Sequence, residues 1–274
     1  MSTSNALGEF LRARREQLRP QDVGLGAAGH RRTPGLRREE VSMLAGISTD
    51  YYLRVQGRDR TPSVQVVEAI GRVLQLDPDE AAYLHTLARP RPKGRQRRRQ
   101  EKVPPGTLRL LASLPMPAFV QDRYLNVLAA NPIAQALSPG MRPGVNRLLA
   151  AFLDPGEKEL HEDWDQSTAA AVGQLRAQMG TETDDPRMAS LVGELSMKSE
   201  RFRRLWARQD VISPAGGPAR MHHPEVGDLE LHREKLIVAG TDGQVLVIYH
   251  ADPGTPSAQA LDLLGTVAAT KSLV

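Results

Sequence analysis

Between Ser48 and Arg54 the chain gathers two hydroxyls, a carboxylate, a phenol and a guanidinium, on Ser48, Thr49, Asp50, Tyr51 and Arg54. The chemistry open to such a group is directional hydrogen bonding. A guanidinium at Arg54 can donate a bidentate pair to a guanine edge, which is worth about 1–3 kcal/mol of discrimination. Arg37 and Arg38 precede the group and Arg58 and Arg60 follow it. Arginines so placed reach phosphates, which fixes register on a duplex without reading its sequence.

Other reactive side chains do not assemble into a centre. His222, His223, His232 and His250 fall near the last apolar runs, but no two have the helical spacing of a common metal site and the intervening acids follow no ligand pattern. The absence of cysteine excludes disulfides, thiolate metal sites and a cysteine nucleophile, and fits a reducing cytoplasm. There is no nucleophile elbow, no phosphate-cradling glycine loop and no acid pair that spacing singles out. No metal, cofactor or catalytic residue is therefore expected, and the chain reads as a binding protein. Asp184-Asp185-Pro186 reads as a helix cap.

The elements around Ser48–Arg54 explain why it can present these groups. In "VSMLAGISTDYY", Ser42 is small where two helices approach, Gly46 supplies a positive φ, Ile47 plugs the corner and Ser48 caps the next helix. Val41, Ala45, Tyr52 and Val55 then face inward, while Tyr51 and Arg54 face outward. This is the pattern of a helix-turn-helix, whose second helix offers its N-terminal residues to the major groove. Apolar spacing elsewhere in the first ninety residues predicts a bundle of about five helices, with Ser63 and Asp77 as N-caps.

A basic segment, "RPRPKGRQRRRQEKVPPG", follows, with eight basic residues between Arg89 and Lys102. It reads as a linker with affinity for phosphate. Residues 1–102 carry 20 Lys and Arg against 12 Asp and Glu, whereas residues 103–274 carry 16 against 20. A basic half joined to an acidic half points to a polyanion for the first and a different partner for the second.

From Leu108 onward, "PAFVQDRYLNVLAAN" predicts a hairpin, several helices follow, and "GDLELHREKLIVAG" and "QVLVIYHAD" predict strands joined at Asp242-Gly243. The result is an α+β domain with one antiparallel sheet. A helical insert over a sheet can enclose an apolar pocket, for which Phe119, Phe152, Trp164, Phe202 and Trp206 are the candidate lining, although each reads more readily as plain core. "RFRRLWARQ" predicts a helix packed through Phe202, Leu205 and Trp206 with its arginines in solvent. Arg176 is expected to be exposed. No apolar run reaches eighteen residues, so no membrane segment is expected.

The segment "RRTPGLRREEVSMLAGISTDYYLRVQGR" with "PSVQVVEAIGRVLQLDPDEAAYLHTLA" resembles the xenobiotic-response-element type of helix-turn-helix in MmyB-like regulators. "FVQDRYLNVLAANPIAQAL", "RLLAAFLDP", "DDPRMASLVGELSMKSERFRRLWARQDV", "HHPEVGDLEL" and "PGTPSAQALDLL" resemble the MmyB-like ligand-binding domain. The resemblance implies a cytoplasmic bacterial transcription regulator with a PAS-like sensor domain and a small apolar effector such as a fatty acid. Two departures stand out: Val55-Gln56-Gly57-Arg58 replaces the family's Leu-Glu-Gln-Gly-Arg, and Gln209 replaces a histidine. The expected organisation is a helix-turn-helix domain at 1–88, a basic Pro-rich linker at 89–103 and a PAS-like ligand-binding domain at 104–274. A homodimer on double-stranded DNA is expected, because one small module contacts few base pairs. The rival reading keeps the DNA-binding head and assigns the C-terminal domain only to dimerisation or protein docking.

Overall fold

The computed structural model describes residues 5–26, 35–57, 61–89, 102–179, 185–212 and 217–271. They divide into two compact units: one takes its residues from 1–94, 172–196 and 200–213, the other from 95–171, 197–199 and 214–274.

Helix starts in the first unit follow local capping chemistry. α1 (Ala6–Gln17) begins at Asn5, whose side chain accepts from the Gly8 N–H at 3.0 Å. α2 (Arg38–Leu44) and α3 (Thr49–Gly57) form the corner, α4 (Val64–Val73) is capped by Ser63, and α5 (Pro78–Ala88) opens with a reciprocal Asp77–Glu80 box. Each helix turns one apolar stripe inward. Phe10, Leu11, Val41, Tyr52, Val55, Ile70 and Leu87 form one buried core, in which Phe10 and Tyr83 meet edge to face at 5.3 Å.

After α6 (Pro105–Ser113), β1 (Ala118–Gln121) and β2 (Val127–Ala130) form the expected hairpin. Asp122 organises its turn by accepting from the N–H groups of Tyr124 and Asn126 at 2.8 and 2.9 Å. α7 (Pro132–Leu137), α8 (Arg147–Leu153), α9 (Pro155–Leu160), α10 (Trp164–Met179), α11 (Pro186–Lys198) and α12 (Glu200–Ala207) come next. The chain then returns to the sheet with β3 (Gly217–His223), β4 (Gly227–Ile237) and β5 (Val245–His250), and closes with α13 (Pro256–Lys271).

These strands make one five-stranded antiparallel sheet in the order β2-β1-β5-β4-β3. Phe119, Leu229, Leu231, Val247 and Tyr249 share a core with Leu137 of α7 and Leu261 and Leu264 of α13. On the alternate positions, Val120 and Leu246 pack with Leu111 of α6. With cover on both faces, β1 is buried along its whole length. The chain is thus a helical helix-turn-helix region, α1 to α5, followed by an α+β sheet domain, the fold class expected.

Candidate nucleic-acid interface

At the corner between α2 and α3, Gly46 has φ +68, and a Cβ there would meet nothing within 4 Å. The position needs glycine for its backbone and not for space. Ser42 is buried and its hydroxyl donates to the Arg38 carbonyl at 2.7 Å, so the small residue also occupies its own polar group. Ser48 accepts from the Tyr51 N–H at 3.1 Å and caps α3. Tyr52 is fully buried, and burial drives its hydroxyl pKa up to about 12 although the charges of Arg15 and Arg38 pull the other way.

The outward face of α3 carries Asp50, Leu53 and Arg54 in solvent. Arg54 pairs with Asp50 at 2.9 Å one turn earlier, both more than half exposed. Arg37 and Arg38 are exposed at the start of α2, and Thr49 is half-buried. Tyr51 differs from its outward expectation: it is half-buried against the rim of the bundle core, because its ring packs beside apolar neighbours. Arg58, Arg60, Asp184 and the basic segment from 90 to 101 lie outside the described residues.

α1 holds the far end of α3. The Asn5 amide donates to the Gln56 carbonyl at 2.5 Å, and a Cβ on Gly8 would collide with that same oxygen. The two backbones therefore touch.

Arg176 is not exposed as expected: it is 4 % exposed in the first unit. Its guanidinium carbon lies 3.9 Å from the Trp206 ring centre, and it donates to the Trp206 carbonyl and the Gln209 side chain. Burial lowers its pKa, against the pull of Tyr83, Glu9 and Asp210. Cation–π stacking between Arg176 on α10 and Trp206 on α12 was not visible in the spacing, because the two lie thirty residues apart.

The five candidate lining residues separate into smaller groups. Phe202 and Trp206 stack at 5.6 Å in the first unit, while Phe152 and Trp164 meet edge to face at 6.5 Å in the second. The Trp164 indole donates to the Ala151 carbonyl at 2.8 Å and the Lys158 ammonium lies over its ring. Phe119 sits in the sheet core. Phe202 and Leu205 pack inward on α12 with Arg203 and Arg204 in solvent, as the spacing predicts. Asp185 caps α11 by accepting from the Arg187 N–H at 2.9 Å.

A cluster that residue spacing did not single out gathers around α9. Glu157 on α9 is fully buried. It accepts from the Ser138 hydroxyl, from the Gly140 N–H at 2.9 Å and from Arg147 at 3.2 Å, with His161 at 3.7 Å. Burial alone would raise its pKa; the bond from His161, the Arg147 charge and the Ser138 and Gly140 donors outweigh that and hold it at about 2. Arg147 also lies over the Phe119 ring, 5.8 Å from its centre. On β4, burial first and then the Arg233 charge push Lys235 down to about 8.

The histidines have separate neighbours. His222 lies 2.5 Å from Asp228, His223 bonds the Ala136 carbonyl, and His232 and His250 face each other at 5.2 Å as register partners. Among the described residues no three His, Asp or Glu converge as a metal site, and no helix is long and apolar enough to cross a membrane.

Comparison with known proteins matches residues 6–84 to a helix-turn-helix domain and residues 103–264 to the MmyB-like transcription regulator ligand binding domain. No curated protein matches the chain. The second match spans more than half of the sequence and covers the sheet domain, while the first covers the corner that exposes Asp50, Leu53 and Arg54. The chain belongs to the MmyB-like transcription regulators, with a helix-turn-helix domain for DNA followed by a ligand-binding domain.

Proposed function

We propose that this regulator reads a specific operator through α3 and changes its occupancy of that operator when a small apolar effector, fatty-acid-like in chemistry, binds the C-terminal domain. Ser48, Thr49, Asp50, Tyr51 and Arg54 form the reading group, and Arg37, Arg38 and Arg58 the phosphate contacts. The observation that carries the reading is the exposed Arg54–Asp50 pair on the first turns of a helix whose opposite face, Tyr52 and Val55, is buried. A guanidinium held beside a carboxylate presents one donor fork and one acceptor, the groups that distinguish guanine and cytosine edges.

The protein acts as a homodimer, since a single helix of nine residues covers few base pairs and a two-fold operator doubles the contact. It acts by binding and not by turnover. Candidate effector contacts are Phe119, Phe152 and Trp164 around the sheet, with Phe202 and Trp206 as a second aromatic group.

A gel shift with DNA from the gene's own upstream region tests the first half. Arg54→Ala is expected to weaken specific retardation about 10-fold or more, the order of one bidentate pair. Arg109→Ala, exposed on α6, serves as the control. Equal losses in both variants would remove α3 as the reader. Mass spectrometry of the intact purified protein tests the second half: a co-purifying acyl compound is expected. An empty domain that still dimerises would favour the docking reading.

A further inference from the structure

Residues 206–212 lie within the stretch matched to the ligand-binding family, yet they pack in the same compact unit as the helix-turn-helix bundle. The chain turns there at Gln209, whose φ of +60 is uncommon for a residue with a side chain. Bundle side chains take up the carbonyls of this turn. Arg14 donates to the Gln209 carbonyl at 2.9 Å and Gln17 to the Arg208 carbonyl at 2.7 Å. Arg14 is itself fixed by Glu80 at 2.5 Å and lies 3.6 Å from Asp210. From α10, Arg176 bonds the Trp206 carbonyl at 2.6 Å and the Gln209 side chain, and Val211 enters the bundle core.

Arg14 and Gln17 stand in the last turns of α1. Asn5 and Gly8, at its other end, touch the Gln56 carbonyl in the last turn of α3. One helix thus contacts residues 206–212 at one end and the DNA-reading helix at the other. In sequence, residues 172–213 are flanked on both sides by chain that belongs to the sheet unit. A ligand shifts an equilibrium only if it interacts differently with two arrangements; a docked and an undocked turn are two such arrangements.

We propose that residues 206–212 are a strap through which the effector domain's sequence acts on the DNA-reading helix, with α1 as the lever and Arg176 and Gln209 as positioning residues. The proposal rests on the DNA-regulator reading above. A loosened strap frees the last turns of α1, and the support of α3 at Gln56 weakens with them.

The test uses the full chain, hydrogen exchange by mass spectrometry and the gel shift with upstream DNA, on Arg176→Gln and Gln17→Ala. Exchange at 206–212 is expected to rise about tenfold in Arg176→Gln and less in Gln17→Ala. The rise is expected to extend to residues 53–57, with a change in DNA affinity of about fivefold or more for Arg176→Gln. Faster exchange confined to 206–212, with residues 53–57 and DNA affinity as in the wild type, would overturn the lever. No change at 206–212 in either variant would overturn the strap. Should Arg176→Gln fail to fold, Gln17→Ala decides, since it removes only two exposed hydrogen bonds, to the Arg208 carbonyl and from Arg14. Wild-type protein that binds no DNA would sink the functional reading, while exchange at 53–57 would still decide the mechanical one.

Discussion

Arg54 and Glu157 show how differently a charged pair behaves in water and in a core. The Asp50–Arg54 pair is open to solvent, where such contacts contribute little to stability, so its partners are free to exchange each other for base edges. Glu157 is fully buried, and its pKa of about 2 lies below the ordinary carboxylate value of 4.5. A depressed acid stabilises the fold above its unfolded pKa and loses that contribution as pH falls toward its folded pKa. The full shift corresponds to roughly 3 kcal/mol. Thermal melts of wild type and Glu157→Gln are therefore expected to differ most at neutral pH, and the gap should close progressively from about pH 4.5 downward. A gap that stays constant between pH 7 and pH 3 would show that the carboxylate's charge is not what the cluster uses. Glu157 and His161 stand four apart, a spacing readable in the sequence, but Ser138, Gly140 and Arg147 reach them from other elements.

At the scale of elements, the corner between α2 and α3 was legible because each of its residues answers a local requirement. Gly46, Ser48, Tyr52 and Val55 behave as local sterics and periodicity predict. Gly46→Ala would keep its space and lose its backbone freedom, so it is expected to cost about 1 kcal/mol, with Gly46→Asn milder because asparagine tolerates left-handed φ better. Chemical denaturation of both variants checks the order; a fully neutral alanine would mean that the turn can reclose with negative φ. β3 was harder to anticipate. "GPARMHH" carries few apolar residues and a proline, and it occupies the sheet edge, where Pro218 removes no interior ladder bond. Its strand state comes from pairing with β4 over seven register positions and not from its own propensity.

For the whole molecule, the basic first 102 residues and the acidic remainder agree with a DNA-facing head and a ligand-binding domain of opposite charge balance. Neutralising the six basic residues between Arg91 and Arg99 is expected to weaken binding to specific and non-specific DNA alike. The slope of log affinity against log salt should flatten by about 0.9 for each phosphate that is no longer neutralised. Fluorescence anisotropy at several salt concentrations reads both, and a loss confined to the specific operator would reassign this segment from tether to reader. Arg54→Ala is expected to do the opposite, narrowing the gap between specific and random DNA.

The sequence by itself determined the two kinds of domain, the corner that aims α3, and the alternation of charge between the halves. Each depends on neighbours a few residues apart or on composition, and such information survives without a fold. Only the tertiary structure decided that Arg176 is buried under Trp206, that Glu157 is caged by donors from several elements, and that residues 206–212 pack with a bundle whose first helix lies nearly two hundred residues earlier. Partners of that separation leave no periodic trace, because chain closure and burial bring them together.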